Sequence, residues 1–218
     1  MITDEGFLEG ATPGLWVGNG VDPSDLAGAA AIASARGIGG ISAPASAMGT
    51  LWPWVERSPI VLQARIPAQR VGDAAATITA AFKHGASSAQ ILLPAKKFGS
   101  FVDELCPIRD DLFFNKELIL GLALNDMDPL SWADVFDGVR RVRADGLLLD
   151  ATGDMPDFVG RIFGMLDAWD DAFDGALQIW ADHDGARMEQ AVRLIQKMRP
   201  RVLGRTCVFM SPATISDI

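Results

Sequence analysis

The chain has 218 residues, of which 49% are hydrophobic, and a formal net charge of -9; this is enough apolar material for one sizeable core and it excludes a disordered chain. The acidic balance argues against a nucleic-acid partner, which selects a basic face, and no apolar run reaches the roughly 18 residues of a membrane span. The start, MITDEGFLEG, has no basic n-region, and the two cysteines, Cys106 and Cys207, have no CxxC partner; a cytoplasmic protein without a secretory signal, disulfide framework or structural zinc is expected.

Apolar runs rich in Leu, Ile and Val recur in chain order at 15–21, 39–43, 60–66, 89–94, 118–124, 145–150, 176–181 and 201–205. Helical patterns separate most of them. An Ala-rich one spans 24–36, with Asp22 or Ser24 as its cap. A second, over 71–84, stops at Gly85 as a C-cap requires. Others follow at 101–113, 130–142, 156–173 and 186–198, with Pro156 fitting a first helical turn and Pro200 ending the last pattern. The segment 45–57, bearing Trp and Pro, holds at most a short helix.

Strands recur at about 21 to 31 residues, the size of a βα unit. Strict alternation predicts a parallel sheet covered by helices, and eight units predict a single α/β domain over 1–218, a closed (β/α)8 TIM-type barrel. About a dozen residues follow the last run, so the eighth helix should be short or missing. An exposed apolar side left by that helix would call for a partner copy, and a homo-oligomer is expected. The alternative is an open doubly wound sheet, disfavoured because GNG (18–20) is not a GxGxxG turn.

In such barrels the chemistry sits at the C-terminal ends of the strands. Read that way, the ends supply Asn19; Ser42; Gln63 and Arg65; Lys96 and Lys97; Asn125, Asp126 and Asp128; Asp150, Thr152 and Asp154; Asp182, His183 and Asp184; and Arg205, Thr206 and Cys207. There is no Tyr and there are only two His, His84 and His183, so carboxylates and lysines must carry any acid–base chemistry. Asp150 ends the apolar run GLLLD. It is read either as a catalytic carboxylate or as the cap of the following loop. Lys96 and Lys97 are candidate catalytic amines or phosphate ligands, with a solvated pair ahead of a helix as the alternative. Asp182-His183-Asp184 is read as an N-cap by Asp184 beside an exposed His183, with a metal or acid–base cluster as the alternative; no metal is expected. Cys207 is read as a small buried hydrophobe, and Trp52 and Trp54 as packing against the barrel, with a lid or an interface patch as the alternatives. Loops after strands seven and eight often hold phosphate, which marks Gly185 at a helix start and Arg205 as anion ligands. Asn19 and Thr152 join them as candidate substrate-binding residues.

Four stretches resemble one family: GGISAPASAMGTLWPWV (39–55), AAFKHGASSAQILLP (80–94), ADGLLLDAT (144–152) and RPRVLGRTCVF (199–209). Their order resembles (5-formylfuran-3-yl)methyl phosphate synthase, a small barrel enzyme of methanofuran and methylofuran biosynthesis. The resemblance implies an Asp at strand six, matched by Asp150, and an Arg at strand eight, matched by Arg205. It also implies lysines at the ends of strands two, four and six that join two triose phosphates. Here strand two reads ISAPAS, strand six is followed by ATGD, and only Lys96 and Lys97 lie near strand four. A Schiff base needs such an amine, so a changed or lost reaction is implied. Two functions are carried forward. One is a lyase or isomerase without an organic cofactor, acting on a small phosphorylated or carboxylated metabolite in one-carbon (methylofuran or methanopterin) cofactor metabolism. The other is a non-catalytic barrel that binds a ligand or partner subunit.

Overall fold

The computed structural model describes residues 10–127, 131–153, 155, 157–181 and 184–216. Its eight strands close into a barrel in the order β1 to β8, each hydrogen-bonded in parallel to its sequence neighbours, with β8 returning to β1. The strands are β1 (Thr12–Trp16), β2 (Gly40–Pro44), β3 (Val61–Pro67), β4 (Ser88–Leu93), β5 (Glu117–Ala123), β6 (Gly146–Asp150), β7 (Ala176–Trp180) and β8 (Thr206–Met210). Between them lie α1 (Pro23–Ala35), α2 (Met48–Val55), α3 (Val71–Lys83), α4 (Phe98–Leu105), α5 (Arg109–Leu112), α6 (Trp132–Arg141), α7 (Phe158–Asp167), α8 (Gly185–Met198) and α9 (Pro200–Leu203). The expected short last helix is α10 (Pro212–Ser216), five residues lying beside α1.

Side-chain alternation along each strand divides the apolar residues into two cores. Ile41, Leu62, Ile91, Leu120, Leu149, Ile179 and Val208 point outward into the layer shared with the helices. Trp16, Ile119, Leu148, Trp180 and Phe209 point inward and fill the barrel, with Leu92 and Cys207 against them. The lumen is crowded enough to dictate small residues: a Cβ on Gly14 would sit 2.7 Å from the Phe209 ring. Strand parity thus fixes which polar side chains face the barrel interior, among them Ser42, Gln63, Arg65, Ser88, Gln90, Gln178 and, at its ends, Glu117 and Asp150.

Two strands differ from the sequence expectation. The run LWVGNGV contributes only its first residues to β1, and Val17 to Gly20 form the loop beyond it, with Gly20 at φ +68°. The final strand is Thr206–Met210, five residues later than the run RVLGR. Pro200 occupies the first turn of α9, where its missing N–H is harmless, so Val202 and Leu203 are drawn into a helical turn. Thr206, Val208 and Phe209 are better strand formers.

Helices expected over 101–113 and 156–173 are also shorter. Pro107 interrupts the first with a 3-10 turn, Cys106–Ile108. The second ends at Asp167, after which Trp169 and Phe173 turn back to pack on Phe136. Leu130 and Pro156, placed at the starts of two expected helices, lie outside the described residues.

Trp54 on α2 is 62% exposed and Phe114 in the turn before β5 is 76% exposed, whereas Ile215 of α10 is buried. Apolar exposure is therefore found away from the short last helix. Trp52 packs over Gly85, the residue that ends α3 with φ +90°. A Cβ there would lie 2.2 Å from the indole. Gly85→Ala should lower stability by roughly 2–4 kcal/mol, combining the left-handed backbone cost with overpacking. Urea unfolding of Gly85→Ala in wild-type and Trp52→Ala backgrounds would separate the two, the second background retaining only the backbone part.

Candidate functional site

At the C-terminal ends of the strands lie two joined cavities of about 520 and 480 Å3. Both are bordered by Pro67, Leu92 and Asp150. The first lobe is aromatic and basic, with Trp16, Asn19, Arg65, Thr152, Trp180 and Ser211 in its wall. The second carries Gln69, Asp73 and Asp126 beside an apolar floor that includes Ala68 and Leu93.

Arg65 is the buried cation of the first lobe, only 5% exposed. It sits on the inward face of β3, two residues beyond Gln63. Its Nη1 donates to the Ser42 carbonyl (3.1 Å) and to Ser42 Oγ (3.2 Å), and its Nη2 donates to the Val17 carbonyl. The guanidinium lies 3.7 Å from the centre of the Trp16 ring. Trp16 in turn stacks on Trp180, with centroids 4.7 Å apart and planes 11° from parallel. Burial pushes the guanidinium down to about 10, and the charge of Asp150 opposes that fall. A cation held flat by an indole and fixed by carbonyls is preorganised for an anion arriving from the mouth.

Beneath Arg65 the lumen is polar. Ser42 Oγ donates to Gln90 Oε1 (2.6 Å). Gln90 Nε2 donates to Gln63 Oε1 (2.8 Å) and to Gln178 Oε1 (2.6 Å), and Gln178 Nε2 donates to Gln63 Oε1 (3.0 Å). All four side chains are buried, so the network satisfies groups that would otherwise be costly to place there.

Asp150 ends β6 half-buried, with its carboxylate at the junction of the two lobes. Its Oδ1 accepts from the Thr152 backbone N–H (3.0 Å). The loop that follows is held from both sides: Asn125 Nδ2 donates to the Thr152 carbonyl (3.1 Å), and Arg187 Nη1 donates to the Gly153 carbonyl (2.7 Å). Asp150 thus caps its loop and lines the cavity at once.

The remaining sequence candidates separate. Asn19 and Thr152 line the first lobe with Asp150. Lys96 and Lys97 are exposed on a 3-10 turn, Ala95–Lys97, and are not among the residues that line either lobe. Arg205 lies at the opposite rim. Because β8 starts at Thr206, Arg205 precedes the strand, and its carbonyl accepts from the Leu177 N–H where β7 begins. It cannot be the anion clamp of this mouth. Gly185 opens α8 on the correct face, but the Asp184 carboxylate accepts from the Arg187 N–H (3.0 Å) and caps that helix. The helix end is therefore served by a carboxylate, which opposes an anion at Gly185.

Asp128, Asp154, Asp182 and His183 lie outside the described residues. Among the described residues no group of three His, Cys, Asp or Glu side chains is placed to hold a metal ion. Cys207 turns into the lumen, where burial pushes its thiol up to about 12, as befits a small hydrophobe.

Sequence reasoning placed Arg65 at a strand end without singling it out, and passed over Trp16, Gln90, Gln178 and Trp180. The available signal was period two: a Gln on the inward face of three largely apolar strands marks a shared polar layer.

No protein-family model matches the chain, and no curated protein matches it. Solved structures do. A candidate deoxyribose-phosphate aldolase from Toxoplasma gondii ME49 superposes with a TM-score of 0.78 at 14% identity, covering 97% of this chain and 95% of that one. The tetrameric deoxyribose phosphate aldolase of Aeropyrum pernix gives 0.73 at 11% identity, covering 97% and 89%. The YdjI aldolase of Escherichia coli K12 gives 0.60 at 15% identity, covering 93% and 76%. At these identities the similarity establishes the fold, a TIM-type barrel.

Proposed function

We propose that this barrel is a carbon–carbon lyase or isomerase that acts on a small phosphorylated or carboxylated metabolite through an enolate rather than an imine. The observation that carries the proposal is the placement of Arg65 and Asp150 in one lobe: a buried, fixed cation beside a half-buried carboxylate. Asp150 removes the proton next to the substrate carbonyl, or the hydroxyl proton whose loss releases a carbon fragment. The electron pair moves to the carbonyl oxygen, where Arg65 meets the developing charge in a water-poor setting that strengthens the attraction. Asn19 and Thr152 orient the substrate at the rim. None of the lining residues is a lysine, so the guanidinium takes the electron-sink role that an iminium would otherwise play.

The aldolase neighbours support the lyase class and a phosphorylated substrate, and the tetrameric one supports a homo-oligomer. The sequence resemblance supports a place in one-carbon cofactor metabolism, and two cysteines without a CxxC partner support a reducing cytoplasm. Among the described residues no helix is long and apolar enough to cross a membrane.

Proton exchange tests the proposal without knowledge of the full reaction. In D2O, a panel of short phosphorylated and carboxylated ketones and aldehydes should include members whose α-proton is washed out at a rate dependent on the protein, seen by loss of its 1H NMR signal. Borohydride added to the same mixtures should trap no adduct. Exchange accompanied by a lysine adduct would replace the enolate by an imine. Saturable binding without exchange would establish the non-catalytic barrel, a reading favoured by the missing lysines.

A further inference from the structure

The polar layer under the mouth has a property that its individual bonds do not. A guanidinium has donors and no acceptor. Arg65 Nη1 therefore forces Ser42 Oγ to accept (3.2 Å), which leaves the single hydroxyl proton of Ser42 for Gln90 Oε1 (2.6 Å). With its oxygen engaged, Gln90 must present its amide N–H groups to Gln63 Oε1 and Gln178 Oε1, and Gln178 must present its own to Gln63. One proton arrangement satisfies the set. It spans β2, β3, β4 and β7, so four strands share in fixing one hydroxyl.

From this geometry we infer that Gln90 is the positioning residue of the mouth: acting through Ser42, it holds the Arg65 guanidinium in the one orientation that faces an incoming anion. The inference rests on the reading of Arg65 as the anion-facing group, and extends it to a residue that does not line the cavity. Three features favour it. Gln90 is fully buried, which places it beyond the reach of a ligand in either lobe. It is the hub of the layer, bonded to Ser42, Gln63 and Gln178. Ser42 Oγ is also the one side-chain hydrogen-bond acceptor of Arg65 among the described residues, the other acceptors being backbone carbonyls. Those carbonyls belong to β2 and to the loop after β1 and keep their places whatever residue 90 is. The hydroxyl can rotate, and among the described residues Gln90 Oε1 is the one acceptor of its proton.

Two substitutions separate positioning from packing. Gln90→Met keeps the length of the side chain and removes the acceptor for Ser42. Gln90→Glu keeps an acceptor for Ser42 and removes the donors to Gln63 and Gln178. The first readout needs no ligand: in protein labelled with 15N-arginine, rotation about the Arg65 Cζ–Nε bond should be slow in the wild type. It should rise about tenfold in Gln90→Met and stay slow in Gln90→Glu, the effect expected from releasing one buried hydrogen bond. The second readout is the affinity for inorganic phosphate, followed by the fluorescence of the protein, since Trp16 lies against Arg65. Affinity should fall about tenfold in Gln90→Met; in Gln90→Glu the new carboxylate close to Arg65 opposes the anion as well, so that variant is judged by the rotation alone. Thermal melts of both variants are recorded alongside. Rotation and affinity that track melting temperature instead of the Ser42 acceptor would overturn the inference, as would slow rotation in Gln90→Met. If the wild-type protein shows slow rotation released by Gln90→Met but binds no phosphate, the positioning inference stands and the anion-facing reading of Arg65 falls. A Gln90→Met protein that does not fold leaves Ser42→Ala, which removes the same hydroxyl from the Arg65 side and should release the rotation equally; continued slow rotation there overturns the inference.

Discussion

Arg65→Met should abolish anion binding while leaving the melting temperature within a few degrees of wild type. The two halves of this expectation have different origins. Arg65 is charged at neutral pH, but its folded-state value of about 10 lies below the ordinary 12.5. A cation whose value is depressed on folding weakens the fold at every pH below the folded value, and that penalty disappears only as pH rises from about 10 towards 12.5. At pH 7 the full penalty applies, on the order of 3 kcal/mol. Against it stand the bonds to Val17 and Ser42, about 1 kcal/mol each, and the contact with Trp16, about 1–2 kcal/mol. The Ser42 carbonyl also accepts from the Val17 N–H (2.8 Å) and is not orphaned by the change. Met fills most of the volume and can lie against the indole. The sums nearly cancel, so stability should move little. Binding has no such offset. Removal of a desolvated charge from an ionic contact costs about 2–5 kcal/mol, a loss of more than thirtyfold in affinity. Titration with malonate and inorganic phosphate, alongside differential scanning calorimetry, checks both halves. Arg65→Lys should recover only part of the affinity because an ammonium lacks the planar fork. A large loss of melting temperature with intact anion binding would recast Arg65 as a structural brace.

The barrel was legible in the sequence because its strands are nearly pure apolar runs at regular spacing, and because alternation of strand and helix leaves few architectures. Strand eight was misplaced for a local reason. RVL and TCVFM are both apolar, and the effect of Pro200 on the three residues after it decides between them. The site was less legible. Asp150 could be found because a carboxylate ending a run of leucines has an evident cost. Lys96, Lys97 and Arg205 were selected for their charge, yet charge alone cannot tell a solvated side chain from one facing a cavity. Whether Arg205 ends a strand or precedes one is a matter of five residues, and this reverses the face on which it lies. Arg65 had the better signal. It follows Gln63 at a spacing of two in a strand whose other residues are apolar, which places both inside the barrel. Gln90 and Gln178 carry the same signature singly, and become informative only when the register aligns them: Gln90 pairs with Arg65 across β3 and β4.

The lysines implied by the family resemblance bear on the same point. The inward positions at the ends of β2 and β6 are Pro44 and Asp150, and the lysines that follow β4 are exposed. No lysine thus lines the mouth, and the guanidinium there is a poor nucleophile while it remains protonated.

Asp150→Asn is the substitution that divides proton transfer from binding, and its two effects should have opposite signs. Asn retains Oδ1 and with it the acceptor for the Thr152 N–H, so the turn after β6 should persist and the Asn125 and Arg187 contacts with the loop should be undisturbed. The carboxylate charge is lost. Asp150 is the charge that partly offsets the desolvation of Arg65, so its neutralisation leaves the guanidinium less compensated and more attractive to an anion. It also removes a like charge from beside the ligand. Phosphate or malonate should therefore bind about three- to tenfold more tightly, the scale of a partly screened charge at the mouth of a cavity. The exchange of substrate protons into D2O should fall by about 10²–10⁴, the usual contribution of a positioned general base, because an amide cannot accept the proton. Stability should be close to unchanged. The release of a half-buried carboxylate from the cavity offsets the weaker compensation of Arg65. Titration calorimetry and proton exchange on the same preparation give both numbers. Tighter binding with undiminished exchange would remove Asp150 from the chemistry and leave it as the cap of its loop.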